Sequence, residues 1–297
     1  MVDLLNSNHI YGGQAVIEGV MIIGKKAASL AVRSPDDSIW TQSIEFPKFA
    51  KSKFRTLPFF RGPLVLLISL ILGSTALNIS SRISLGDSEY KKNNSISDNI
   101  LLWFSMMFAV ILGVCVFFLG PLFLARLLED FIESKVMINV IEGCIRLMAL
   151  VFYISLIGRM SDIKRLFEYH GAEHMTIHAY ENYANLDVKE IVAFPKAHPR
   201  CGTAFLITVA IVSVIVFSLL GYPNLLIAAL SRILLIPIIA SLSYELIRFS
   251  GLSRNTFLAK LMSSPGIFFQ RLTTRYPDHK QIEVAIAAMN HALEADK

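Results

Sequence analysis

Long stretches without charged side chains dominate the middle of the chain. Residues 101–124 contain no Asp, Glu, Lys or Arg, and polar residues resume directly afterwards at Arg126, Glu129 and Asp130. About 20 apolar residues in a helix span about 30 Å of hydrocarbon. Three further segments have a similar length: residues 137–157, 203–220 and 225–247. The pattern predicts four membrane-spanning helices, the last two joined as a hairpin by the turn at 221–224.

A fifth apolar run, residues 64–79, is shorter and directly follows Arg61-Gly62-Pro63. It could cross the membrane, re-enter it or lie in the interface. Basic residues collect on the cytoplasmic side of membrane proteins. If this run does not cross, 24 of the 28 Lys and Arg residues lie on one side and two on the other; if it crosses, the better orientation leaves 16 against 10. We therefore expect four crossings, with both termini in the cytoplasm.

Three regions follow from this pattern. Residues 1–58 are expected to form a small cytoplasmic lobe of α+β type, with a β-hairpin of segments 29–33 and 39–46. Residues 59–247 are expected to form the membrane domain, which has four spans, one short membrane-embedded segment and a cytoplasmic His-rich insert at 159–202. Residues 248–297 are expected to form a helical cytoplasmic tail. The fold class is therefore mainly α, a polytopic helical membrane protein.

Two of these regions carry finer expectations. Within the insert, residues 188–194 could form a strand. The tail is expected to break at Ser264-Pro265-Gly266 and to end in a helix over 278–295 that Asp278 caps.

Composition supports a membrane protein. Hydrophobic residues make up 54% of the chain and charged residues 17%, and the mean hydropathy is +0.55, on the apolar side of ordinary soluble chains. Two of the three cysteines lie inside apolar segments, so no disulfide framework is expected. The formal charge of +5 suits contact with the anionic headgroups of a lipid bilayer. No nucleic-acid partner is expected.

Three of the seven histidines fall in one polar segment. At about 100° per residue on a helix, His170, Glu173, His174 and His178 share one face. Imidazoles one turn apart can hold a divalent ion, and a neighbouring carboxylate can take a proton from water that the ion activates. His-x-x-Glu-His is the inverted metalloprotease pattern. The alternative is an exposed polar helix face that happens to be rich in histidine.

A further ligand is expected from His198-Pro199-Arg200-Cys201, which leads into the next apolar segment. His198 and Cys201 are soft donors suited to Zn²⁺. The alternative is a turn at the lipid boundary, in which Arg200 contacts headgroups and Cys201 is a small core residue. Under the metal interpretation, Glu173 is the general base and Arg200 stabilises developing negative charge.

Charged residues also occur inside two apolar segments. Glu142 and Arg146 are one helical turn apart, and Arg232 lies in the last segment. Such groups are costly in lipid and tend to face a bundle interior or a polar cavity. We expect a buried Glu142–Arg146 pair within a structural ion-pair network. The alternative is a functional role, because the second arginine could receive an anionic lipid or substrate.

The chain resembles the YqhQ-like family of bacterial membrane proteins, a domain of unknown function described as predicted metal-dependent enzymes. The motifs that carry the resemblance are residues 12–21 (GGQAVIEGVM), 158–160, 169–174 (YHGAEH), 198–203 (HPRCGT), 243–248 and 281–285. The chain departs from the family pattern at Met175 and Ala204, neither of which is a proposed ligand. The resemblance implies a bacterial inner-membrane location and a metal-dependent enzyme of unspecified reaction.

The sequence is consistent with two functions. The first is a metal-dependent membrane enzyme, hydrolytic in type, in which His170, His174 and one of His178, His198 or Cys201 hold Zn²⁺. The second is a transporter or scaffold in which the metal is structural or regulatory. An anionic lipid or another membrane-associated molecule is a candidate substrate.

Overall fold

The computed structural model describes residues 11–52, 57–87, 96–221, 223–252 and 256–297. The chain is mainly helical and has a four-stranded antiparallel sheet near its N terminus. The helices are α1 (Arg61–Ser84), α2 (Ile96–Val114), α3 (Gly120–Arg126), α4 (Lys135–Ile157), α5 (Ser161–Glu181), α6 (Val188–Ile191), α7 (Thr203–Leu219), α8 (Leu225–Leu234), α9 (Ile236–Leu252), α10 (Phe257–Thr273) and α11 (His279–Asp296).

The sheet is a meander whose strands pair in chain order. Its strands are β1 (Gly12–Val16), β2 (Gly19–Ile23), β3 (Ala27–Arg33) and β4 (Ile39–Glu45). The predicted hairpin is confirmed, since β3 pairs with β4 in a register that sets Ser29 opposite Ser43. The β1–β2 hairpin is not evident from the sequence, because glycines interrupt the alternation of apolar and polar positions that marks a strand.

Both faces of the sheet are covered, because successive strand residues point to opposite sides. On β2, Val20 and Ile22 pack into a core shared with α5 and α11, whereas Met21 packs into a second core with α1. The residues that α1 contributes to this second core are Ile68, Leu72, Ala76, Ile79 and Ile83. The sheet therefore lies between α1 on one side and α5 with α11 on the other.

Within the described residues, three helices are long and apolar enough to cross a membrane: α1, the continuous helix Trp103–Arg126 formed by α2 and α3, and α4. The pair α8 and α9 passes the same test together, although it bends by 48° at its break. Helix α7 is apolar and has 17 residues. The expectation that residues 64–79 form only a short segment is corrected, since they belong to the 24-residue helix α1.

A buried ion-pair network joins these apolar helices. The predicted pairing of Glu142 with Arg146 is confirmed, with 2.6 Å between Glu142 Oε1 and Arg146 Nη2. Arg232 completes the network from α8, with its Nη2 atom 2.5 Å from Glu142 Oε2. Arg146 Nε also donates to the Phe117 carbonyl at 2.9 Å, within the π-helical turn Cys115–Leu119 between α2 and α3. One carboxylate thus bridges two arginines from different helices.

Two local expectations are wrong, and one is confirmed. Residues 188–191 form the short helix α6 rather than a strand, because the Asp187 side chain caps this turn by accepting from Glu190 N. Helix α10 continues through Pro265 without a break. Helix α11 begins as predicted, with Asp278 at its N-cap in a capping box with Gln281.

Candidate metal centre

Helix α5 carries His170 and His174 into the protein interior. His170, Glu173 and His174 are 9%, 3% and 2% exposed, so the alternative of an exposed polar face is wrong. The helix runs without interruption through Gly171. A Cβ atom at this position would lie 2.0 Å from the carbonyl oxygen of Arg275. The glycine therefore allows the segment before α11 to pack directly against the histidine-bearing turn.

Three potential ligand atoms converge, one each from His170, His174 and Cys201. These atoms all lie within 4.8 Å of one another, and the three residues are buried. His170 Nε2 is 3.1 Å from Cys201 Sγ. The cluster could hold a metal ion, because two imidazole nitrogens and a thiolate form a donor set typical of Zn²⁺.

Backbone carbonyls orient both imidazoles. His170 Nδ1 lies 2.8 Å from the carbonyl oxygen of Thr273, and His174 Nδ1 lies 2.7 Å from that of Lys196. A carbonyl accepts a hydrogen bond, so each Nδ1 carries a proton, and Nε2 is the atom of each ring that can bind a metal ion. Metal-binding histidines are commonly held in this way. Thr273 and Lys196 could not be recognised from the sequence, because they contribute only main-chain oxygens.

The environment of Cys201 favours the thiolate. Burial by itself would raise the pKa of the thiol, but the imidazoles of His170 and His174 hold this pKa well below its usual value. Burial opposes protonation of His170, yet the adjacent Cys201 and Glu173 raise the pKa of its imidazole to about 9. Thr203 Oγ1 lies 3.1 Å from the sulfur atom. The thiolate is the form of cysteine that binds metals, and an arriving ion would displace the proton from His170.

Glu173 lies between the two imidazoles. Its Oε2 atom is 3.9 Å from Nε2 of both His170 and His174. Burial raises the pKa of its carboxyl, and the two imidazoles offset this effect only in part. Strand β1 covers the side chain at Gly13, where a Cβ atom would lie 2.9 Å from Glu173 Cγ. The N-terminal glycine motif therefore packs against the site.

His178 and His198 lie beside the cluster rather than in it. His178 Nε2 is 2.9 Å from the Ala197 carbonyl oxygen. His198 Nδ1 accepts a hydrogen bond of 3.2 Å from Arg200 N, and its Nε2 is 3.5 Å from Glu181 Oε2. The Nδ1 atom of His198 is thus occupied by a hydrogen bond, and its Nε2 atom faces the Glu181 carboxylate. Of the five predicted ligands, the structure brings together His170, His174 and Cys201.

Arg200 and Glu181 form an ion pair next to His198. The turn that carries Arg200 is fixed by Gln270 of α10, which accepts from His198 N at 2.8 Å and donates to His198 O at 2.9 Å. Gln270 is fully buried. Its amide therefore holds the 198–201 segment in place, a role that its sequence position does not indicate.

A cavity of about 370 Å³ adjoins the cluster. Its lining includes the predicted site residues His170, Glu173, His174, His198, Arg200 and Cys201, but not His178. Gly13 and Gln14 of β1 line it as well, so the N-terminal sheet covers part of the site. Glu18, in the turn between β1 and β2, pairs with Arg165 and accepts a hydrogen bond from Tyr169 at 3.1 Å. These contacts hold the β1–β2 hairpin against α5.

These features define a mainly helical protein with membrane-length apolar helices and a buried His–His–Cys cluster beside a cavity. The chain belongs to the family described as "Protein of unknown function (DUF1385)", whose model matches residues 57–295. It is 33% identical to the uncharacterized protein YqhQ of Bacillus subtilis (strain 168) over 297 residues, covering 96% of this chain and 93% of that protein. The resemblance inferred from the motifs is confirmed. No solved structure matches the chain.

Proposed function

We propose that the protein is a metal-dependent integral membrane enzyme of hydrolytic type. The observation that carries this proposal is the convergence of His170, His174 and Cys201 on one point beside a cavity. Each imidazole is oriented by a backbone carbonyl. Catalytic zinc sites use three protein ligands and leave one position for water or substrate, whereas structural sites are closed by four. A three-donor cluster facing a cavity favours the catalytic type.

A divalent ion such as Zn²⁺, when bound there, supplies Lewis acidity and activates water. Glu173 is suited to receive the proton that such a reaction releases. Its carboxylate lies 3.9 Å from both imidazole Nε2 atoms, and burial raises the pKa of this carboxyl, which makes it a stronger base than an exposed Glu. Arg200 lines the same cavity, where its positive charge can stabilise developing negative charge.

The alternative is a scaffold or transporter whose metal is structural or regulatory. A structural zinc site is closed by four protein ligands, and Glu173 is the candidate for the fourth ligand here. Its carboxylate is near enough to the imidazoles for this to be tested directly. The two proposals therefore differ in what a change at Glu173 does to metal content.

Contacts of the sheet support four membrane crossings. The sheet contacts α5 and α11, so all three must lie on the same side of a membrane. Between β4 and α5 stand three apolar units: α1, α2 with α3, and α4. An even number of them must cross. Helix α1 packs along the sheet as far as Ile83, and open sheet edges are not tolerated in hydrocarbon. We therefore assign α1 to the membrane surface and the other two units to crossings.

The apolar helices between α5 and α11 are consistent with this assignment. Helix α7 and the bent pair α8–α9 provide two more crossings between α5 and α11, which again makes an even number. Seventeen residues, the length of α7, are at the lower end of what spans a bilayer. With the basic residues inside, we assign the cluster and both termini to the cytoplasm of a bacterial cell.

Accessibility of single cysteines tests this topology. We expect a membrane-impermeant maleimide added to intact cells to label Glu133→Cys, before α4, and not Asn182→Cys, after α5. The background carries Cys115→Ser and Cys144→Ser and keeps the buried Cys201. Permeabilised cells serve as the control and should label both positions. Labelling of Asn182→Cys from outside would overturn the topology.

Metal content tests the site itself. We expect the double variant His170→Ala, His174→Ala to lose stoichiometric metal in protein purified without a polyhistidine tag, because one remaining ligand does not retain Zn²⁺. His178→Ala is the matched control, since His178 lies one turn further along α5 but outside the cluster. It should keep its metal. Metal content is measured by elemental mass spectrometry. Full metal content in the double variant would refute the proposal.

A further inference from the structure

Helix α1 has two apolar faces, and the sheet covers one of them. The face that carries Ile68, Leu72 and Ile79 is buried in the core shared with the sheet. On other faces, Leu67, Leu70 and Leu77 are exposed. Exposed leucines that recur along a helix beside membrane-length segments are typical of contact with lipid. The proposed topology, with α1 at the membrane surface, directs these leucines into the bilayer interface.

Helix α10 has a similar surface. Phe257, Leu258, Leu261 and Phe268 are exposed on it, while Lys260 and Arg271 supply positive charge. Its other side packs against α7 and α9, with Gly266 against Ala204 of α7. Apolar and basic residues together on one helix suit an interface of anionic lipid. The cytoplasmic site is thus flanked by two helices with lipid-type surfaces.

The cavity beside the cluster reaches α1 and the start of α7. Leu66 and Ser69 of α1 and Phe205 of α7 line it together with the donor residues, and all three side chains are partly exposed. Cys201 precedes the first residue of α7 by only two positions. The lining is therefore polar at the cluster and apolar where it meets helices that we place in or on the membrane.

We infer that this cavity receives an amphiphile, a molecule with one anionic head group of phosphate type and a hydrocarbon chain that leaves past Leu66 and Phe205 toward the bilayer. The inference rests on the proposed function and names its substrate class. Arg200, positioned by Glu181, supplies a cation for the head group at the cluster end.

The volume of the cavity agrees with a head group bound inside it and most of the hydrocarbon chain outside it. A volume of about 370 Å³ lies near the lower end of the usual range for small-molecule sites, about 300 to 1,000 Å³. It accommodates a head group and the first part of a chain, but not a whole two-chain lipid. The remainder of the chain must lie outside the cavity, and the apolar surface next to it belongs to α1 and α7.

Binding of defined probes to the metal-loaded protein in lipid nanodiscs tests the inference. We expect dodecyl phosphate to bind at least about 10-fold more tightly than inorganic phosphate, since burial of each methylene adds to affinity. Leu66→Trp should weaken dodecyl phosphate binding about 10-fold by filling the chain path. Leu67→Trp is the matched control, being adjacent but absent from the lining, and should bind like wild type.

Metal content is measured in every sample, which separates the two proposals. Wild-type protein that holds no metal after loading would refute the proposed function. Full metal with equal affinity for dodecyl phosphate and inorganic phosphate would refute the inference alone, and would indicate a water-soluble substrate. Unchanged binding of dodecyl phosphate by Leu66→Trp would also refute it. If Leu66→Trp fails to fold, Ser69→Leu fills the same path and Leu70→Ala, outside the lining, replaces the control.

Discussion

Replacing Glu142 with Gln is expected to lower the free energy of unfolding by about 3 to 5 kcal/mol, the usual cost of breaking a buried ion pair. The side chains of Glu142, Arg146 and Arg232 are 2% to 4% exposed. A neutral amide would leave two guanidinium groups without a counter-charge in an apolar bundle. The melting temperature in detergent should therefore fall clearly. Glu129→Gln is the matched control, because Glu129 pairs with Arg126 at a 44% exposed position and should cost at most about 1 kcal/mol.

Removing the whole network should cost less than removing its carboxylate. In the triple variant Glu142→Gln, Arg146→Met, Arg232→Met no charge remains, and apolar replacement of a buried ion network is often close to neutral. The double variant without Arg232→Met should fall between the two, since one unpaired arginine stays. If Glu142→Gln melts no earlier than Glu129→Gln, or if the triple variant melts earliest, the three residues do not act as a charge network.

The helical framework could be predicted because it depends on local signals. Runs of apolar residues and the N-cap at Asp278 identify helices without any knowledge of tertiary contacts. The Glu142–Arg146 pair also follows from spacing, since residues four apart lie on one helix face. Arg232 could not be assigned to the same carboxylate, because its contact joins α8 to α4 across 90 positions of sequence.

The ends of helix α1 could not be predicted from hydropathy. The apolar run at 64–79 is preceded by Arg61 and followed by a Ser-rich stretch at 80–84. The hydropathy pattern therefore predicts that the apolar segment ends there. In the folded chain Ser80 and Ser84 donate to carbonyls of the preceding helical turn, at 3.1 and 3.0 Å. A serine that satisfies its hydroxyl in this way continues a helix at little cost. The hydropathy pattern therefore underestimates the length of a helix whose polar side chains bond to its own backbone.

For the candidate site, the sequence indicated the donors but not their grouping. Spacing placed His170, Glu173 and His174 together, and chemistry suggested Cys201. The sequence could not show that His178 and His198 lie outside the cluster. Their positions depend on the Ala197 carbonyl and the Glu181 carboxylate, which belong to residues elsewhere in the chain. Burial of the helix face was also beyond sequence reasoning, since the covering surfaces come from β1 and from the segment before α11.

Replacing Glu173 with Gln is expected to leave metal content unchanged and to reduce hydrolytic turnover by about 10²- to 10⁴-fold, the usual contribution of a general base. The amide has nearly the same shape as the carboxylate but cannot accept a proton. Burial already disfavours the charged form of Glu173, so the neutral side chain should not lower stability. Turnover is measured on chromogenic phosphate and carboxylate ester amphiphiles that the wild-type protein hydrolyses.

Glu168→Gln is the matched control for this change. Glu168 lies on the same helix, accepts a hydrogen bond from Gln281 Nε2 at 3.0 Å and is absent from the cavity lining, so its replacement should keep both metal and turnover. Loss of metal from Glu173→Gln would make Glu173 a fourth ligand, close the site and favour the scaffold. Wild-type turnover with full metal would exclude Glu173 as the base while leaving the His–His–Cys cluster in place. Only retained metal with lost turnover fits a carboxylate that acts on the reacting water and not on the ion.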